Sequence, residues 1–95
     1  LYTSSLIVTP GQILPAWPVR DARQLARDDL ADLLQHDPEL IVLGTGRAQV
    51  FPDLGLVREL MREGLGVEVM DTASACRTYN IVASENRRVG AALIL

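Results

Sequence analysis

Two apolar runs in this chain end in small polar residues, and a helical pattern follows each. Leu40-Ile41-Val42-Leu43 runs into Gly44-Thr45-Gly46-Arg47, and Val67-Glu68-Val69-Met70 runs into Asp71-Thr72. The first run has no polar alternation, the mark of a strand covered on both faces. Strands that alternate with helices build an α/β sheet, and such sheets gather ligands and partners at the carboxyl ends of their strands. The pattern therefore points to a place on the molecule before it points to any reaction.

The rest of the chain fits the same plan. Residues 5–9 are short and β-branched and close on Pro10-Gly11, which reads as a strand and a turn. Residues 13–19 carry Pro15 and Pro18, so they read as extended chain at a sheet edge or in a loop. Ala22, Leu25, Ala26, Leu30, Leu33 and Leu34 recur at helical spacing. They predict a helix within residues 21–36, firmest from Asp28 and stopped by Pro38.

Pro52-Asp53 opens a further helix, with Leu54, Val57, Leu60 and Met61 inward and Gly64 as its C′ residue. Asp71 or Thr72 caps a third helix reaching about Asn86, and residues 89–95 read as a closing strand. The expected architecture is one α/β domain over residues 1–95. It has three layers, with helices on both faces of a mixed, mainly parallel central sheet.

Composition removes several functions. The formal charge of −3 and pI near 4.9 argue against nucleic acid, which demands a dense basic surface. Arginine supplies all nine basic residues, so no lysine serves as Schiff base, phosphate-loop cation or general base. One cysteine and one histidine cannot close a zinc site, and no metal or cofactor is expected. A single cysteine fits a reducing, cytoplasmic compartment. No apolar run approaches the ~20 residues of a transmembrane helix. The chain opens without methionine, which leaves targeting unreadable.

Each candidate site residue has two readings. Gly44-Thr45-Gly46-Arg47 is a tight strand exit, or an anion or partner contact through Thr45 and Arg47. The dinucleotide fingerprint lacks its third glycine, because Gln49 stands there, and the Walker pattern lacks lysine. Asp71-Thr72 caps a helix; the same helix start also presents amide donors. Cys76 lies on the margin of the helix stripe set by Ala75, Tyr79, Val82 and Ala83. It is a small packing residue, a redox or ligand contact, or a nucleophile; His36, the sole histidine, sits far off on another helix. Asn80 lies beside Cys76 and is expected to reach the strand ends. Trp17, between two prolines, covers a sheet edge or forms an exposed contact point. No carboxylates pair into an acid–base couple, so the residues lean away from an enzyme.

Several blocks together resemble one widespread domain-of-unknown-function α/β family of bacteria and archaea. They are Ser5-Leu6-Ile7-Val8-Thr9-Pro10, Trp17-Pro18-Val19-Arg20 and Asp37-Pro38-Glu39-Leu40-Ile41-Val42-Leu43-Gly44-Thr45-Gly46. The likeness continues through Val67-Glu68-Val69-Met70-Asp71-Thr72 and Ala75-Cys76-Arg77-Thr78-Tyr79-Asn80. The mitochondrial branch of that family includes an assembly factor of NADH:ubiquinone oxidoreductase (respiratory complex I), assembly factor 3. The resemblance spans nearly the whole chain. It implies a three-layer fold around a mixed sheet, with no established activity or cofactor. Members carry a further N-terminal strand where only Leu1-Tyr2-Thr3 stands here, so that strand is missing or the first sheet edge is open.

Two functions are carried forward. The first is a non-enzymatic protein-interaction or assembly module whose partner meets Gly44, Thr45, Gly46, Arg47, Asp71, Thr72 and Trp17. The second is a small-molecule- or anion-binding protein, with or without catalysis, that uses the same crevice, with Asn80 and Cys76 alongside. A thiol redox role for Cys76 is a third, narrower expectation.

Overall fold

A computed structural model describes residues 3–95 of the chain. The expected missing N-terminal strand falls at the two residues outside that range. Among the described residues five strands form one sheet: β1 (Leu6–Thr9), β2 (Gln12–Leu14), β3 (Leu40–Thr45), β4 (Gly66–Met70) and β5 (Val89–Ile94). Their order is β2-β1-β5-β3-β4. The strand that closes the sequence therefore sits at the centre of the sheet, and β1 has a neighbour on each side.

The sheet is mixed. β3 pairs in parallel with β4 and β5, while β1 pairs antiparallel with β2 and β5. Parallel pairing is thus two of four pairings rather than the majority. It is confined to the three strands whose carboxyl ends lie together. Every residue of β3 and β5 is buried, because each strand has neighbours on both edges and a covering layer on both faces.

One layer packs on Ile7, Ile41, Leu43, Ala92 and Ile94. It contains α2 (Leu54–Arg62), which turns Leu56 and Leu60 inward and Arg58, Glu59 and Arg62 to water. Leu54 and Met61, expected inward, are exposed at 59% and 56%; the buried stripe is narrower than their spacing allows. Gly64 ends the helix at φ 89°, as a C′ glycine does.

The predicted helix over residues 21–36 is instead two 3-10 turns, Ala22–Gln24 and Arg27–Leu30, followed by a single α-helical turn, α1 (Ala31–Leu34). Aspartates explain the difference. Asp21 accepts the Arg23 amide and Asp29 accepts the Ala26 amide, bonds that compete with helix continuation. Leu25 and Ala26 are extended between them. The apolar stripe is still used, because the turns carry Ala22, Leu25, Leu30 and Leu33 into the core.

Trp17 belongs to that core. It is 7% exposed, and its indole N–H donates to the Asp29 carbonyl at 2.7 Å. It is not an exposed contact point: its amide donates to the Ser5 carbonyl at the β1 side of the sheet, and its ring pins the irregular segment there.

Among the described residues the opposite layer is α3 (Thr72–Ser84) alone, packed on Leu40, Val42, Val89, Ala91 and Leu93 through Ala75 and Val82. It ends two residues short of the expected Asn86. Among the described residues no helix is long and apolar enough to cross a membrane.

Candidate functional site

Parallel register brings the two expected turns to one rim. Gly44 stands opposite Met70 and Thr45 opposite Ile94, so the exits of β3, β4 and β5 are adjacent. Backbone bonds fasten them. The Thr72 amide donates to the Gly46 carbonyl at 2.8 Å. The Thr72 hydroxyl accepts from the Gly46 amide and donates to the Ile94 carbonyl. One side chain therefore ties the ends of three strands.

The two glycines serve different needs. A Cβ on Gly44 would lie 2.9 Å from the Thr72 hydroxyl oxygen and 3.0 Å from Thr72 Cα, so its absence lets α3 seat directly on β3. Gly46 has φ 102°, a conformation that favours glycine. Gly44 is thus buried under α3 and presents nothing to a ligand.

Thr45, expected as a contact, is 7% exposed. Its hydroxyl lies 2.6 Å from the Ala48 carbonyl and accepts the Val50 amide at 2.9 Å. It is a brace for the turn, its single O–H already spent within the fold.

Asp71 caps α3. Its carboxylate accepts the Ser74 amide at 2.9 Å and the Ser74 hydroxyl at 2.8 Å. These bonds, and then the nearby Arg77 cation, hold its pKa below the ordinary carboxylate value. The helix start is therefore already occupied by a negative charge. The Thr72 amide is bonded to Gly46 and the Ala75 amide to the Asp71 carbonyl. Little donor capacity is left for a free anion.

The rim is the floor of an open depression of about 330 Å³, lined by Thr3, Gly46, Arg47, Asp71, Ala73 and Ile94, among others. Arg47 is exposed there, as expected. Cys76 and Asn80 are exposed on α3 but line no part of the depression. Asn80 stands two turns along the helix from Thr72, too far to reach the strand ends, and the lone thiol faces solvent. Burial raises the Tyr79 phenol on the inner side of the same helix.

Ala73, Ile94 and Leu95 line the depression without having been expected to. The signal for them was the position of β5 in the sheet. A carboxyl end placed between β1 and β3 is invisible until the strand order is known.

A family model described as "Protein of unknown function (DUF498/DUF598)" matches residues 1–94. A curated relative from Francisella tularensis, named "13 kDa major membrane protein", is 32% identical over 98% of this chain and 76% of its own length. The zebrafish protein named "NADH dehydrogenase [ubiquinone] 1 alpha subcomplex assembly factor 3" is 38% identical over 92% of this chain. The chain spans about half, 51%, of that relative's length. The NMR structure of a Xanthomonas campestris structural genomics target superposes with a TM-score of 0.87 at 40% identity. The overlap covers 96% of this chain and 69% of that one.

Proposed function

This chain belongs to the family of proteins of unknown function DUF498/DUF598, and on that footing we propose that it is a non-enzymatic protein-interaction module of the assembly-factor kind. Its partner-facing surface is the strand-end rim around Gly46, Arg47, Asp71 and Thr72. The observation that carries this reading is how the rim's polar groups are spent. The Thr45 and Thr72 hydroxyls, the Gly46 amide and the Asp71 carboxylate are all bonded within the fold. What faces outward is an arginine, a small alanine and apolar chain, a surface suited to recognition rather than to acid–base chemistry. The relatives named as an assembly factor support the same direction.

The alternative is a small-molecule or anion site in the same depression, favoured by its concavity and by the Arg47 cation. It has the weaker physical footing, because Asp71 already occupies the start of α3. In either case we place the module in a cytoplasmic compartment, which subcellular fractionation checks. Recovery in the membrane pellet would move it toward the setting named for the Francisella relative.

The test is steric. Ala73→Trp fills the depression without touching the bonded floor; Arg58→Glu alters the distant outer face of α2. Affinity capture from the native host should lose its specific partner with Ala73→Trp and keep it with Arg58→Glu, both variants retaining the wild-type circular dichroism. Capture undiminished by Ala73→Trp refutes the rim as the partner surface. Saturable amide shifts at Gly46 and Thr72 with one nucleotide or small acid would favour the alternative.

A further inference from the structure

Among the described residues β4 has a neighbour on one side alone. Its pairing with β3 decides which backbone groups are left over. The Gly66 amide donates to the Glu39 carbonyl at 2.9 Å. No described peptide bond is cis, so each C=O points opposite to the next N–H. The Leu65 carbonyl and the amide and carbonyl of both Val67 and Val69 therefore face away from β3. One of these groups is spent, because the Val69 carbonyl accepts the Gln49 side-chain amide at 2.9 Å. The Leu65 amide is spent as well, on the Leu60 carbonyl of α2.

What remains is its own complement about a two-fold axis. Set β4 antiparallel to the β4 of a second copy, with Val67 opposite the copy's Val67. Each Val67 amide then meets the other Val67 carbonyl, and each Val69 amide meets the other Leu65 carbonyl. The bonds that an ideal ladder would add run from Leu65 amides to Val69 carbonyls, and both of those groups are already satisfied within the fold. Glu68 is exposed. In this register it faces the copy's Gly66, which has no side chain, and not another carboxylate.

The flank of α2 beside this edge is apolar. Leu56, Val57 and Leu60 line one small void with Ile41 and Leu43 of β3 and Val67 of β4, so the helix lies along the last two strands. Its polar flank, Gly55, Glu59 and Arg62, turns toward Leu25 and Arg27, in the segment that covers β5 through Leu33. Leu54 and Met61 share a stripe on the other flank, above the free edge. They are the two exposed apolar side chains of this helix. Arg58 stands ~160° around the helix from Leu60 and points away from the sheet, outside that stripe.

We propose that the β4 edge pairs with the β4 edge of a second copy of this chain. The two sheets become one across a two-fold axis, and Leu54 and Met61 of each copy cover those of the other. A two-fold contact uses the same patch on both subunits, and the donors and acceptors left on this edge meet that condition. The interface goes beyond the partner reading, since it uses neither Arg47 nor Ala73.

The test is sedimentation of the full chain from micromolar to millimolar concentration, with amide exchange read residue by residue. The mass should rise toward twice the monomer's, and protection at Val67 and Val69 should grow over the same range. Val67→Pro deletes an amide that β3 does not use, a change an edge strand tolerates. It should weaken self-association by about tenfold or more. Met61→Glu sets a charge into the seam from each copy and should weaken it at least as much, with circular dichroism unchanged. Ala73→Trp, at the rim, should leave the mass as it is. A mass fixed at the monomer's up to millimolar concentration overturns the proposal, as does association that Val67→Pro and Met61→Glu both leave intact. Full protection of Val67 and Val69 in the monomer would show the edge covered from within the chain, and overturns it equally.

Discussion

The two faces of the sheet are covered in opposite ways. On one face a single regular helix, α3, is tied at its first turn by hydrogen bonds to Gly46 and Ile94. On the other, two 3-10 turns, one α-helical turn and α2 share the work. There the anchors are apolar: Leu33 is fully buried and Trp17 nearly so. Each face depends on a missing side chain in a central strand. Gly44 admits α3, and a Cβ on Gly90 would fall 2.1 Å from Leu33 Cδ1. The difference teaches where rigidity lies. The bonded layer holds the rim in register, while the apolar layer supplies the bulk of the burial.

Breaking the apolar face should cost most. Trp17→Ala removes the largest anchor and its bond to Asp29, and is expected to lower unfolding free energy by about 3–5 kcal/mol in urea titration. Wild-type stability in that variant would show that the irregular segment holds without it.

Gly44→Ala tests the bonded face. Its new methyl meets the backbone of Thr72, which cannot swing aside, so a loss of about 1–3 kcal/mol is expected. Gly90→Ala meets only a leucine tip. A double-mutant cycle of Gly90→Ala with Leu33→Ala should therefore show a favourable coupling of about 0.5–3 kcal/mol.

The pH dependence sharpens the contrast further. The Asp71 pKa in the folded state lies below its ordinary value of 3.8. Its contribution is therefore present in full above pH 3.8 and is lost as pH falls through the folded value. Asp71→Asn should be less stable than wild type near neutrality, and the gap should close as pH drops below 3.8. A gap that widens on acidification contradicts the capping account.

The smallest effect is at the surface. Arg27 and Glu63 form a two-pronged ion pair at 2.6 and 2.8 Å between the 3-10 turn and the end of α2. Both side chains are more than a third exposed, so water screens the pair and Arg27→Met should leave the urea unfolding midpoint within the scatter of replicate titrations.

What was legible in the sequence follows from the range of the interactions. The strands β3 and β4, the Asp71 cap and the Gly64 terminus are set by neighbours within a few residues, and they stand where the pattern put them. The 3-10 segment was not legible, because the spacing of Leu25, Leu30 and Leu33 fits a helix equally well. Only the competing aspartate bonds decide against it. The burial of Trp17 is not legible for a related reason. Its burial depends on Asp29, twelve residues on, and on a sheet whose order the sequence does not display. Thr45 and Thr72 read from the pattern as contact or capping groups, yet their hydroxyls have backbone partners across strands that no local pattern reveals.

The most direct test of the rim is photo-crosslinking in the native host. A benzophenone amino acid replaces Ala73 in one variant and Arg58, on the outer face of α2, in another. The account predicts one discrete protein adduct from position 73 and none from position 58. Adducts from position 58 alone, or the same ladder from both, would contradict it.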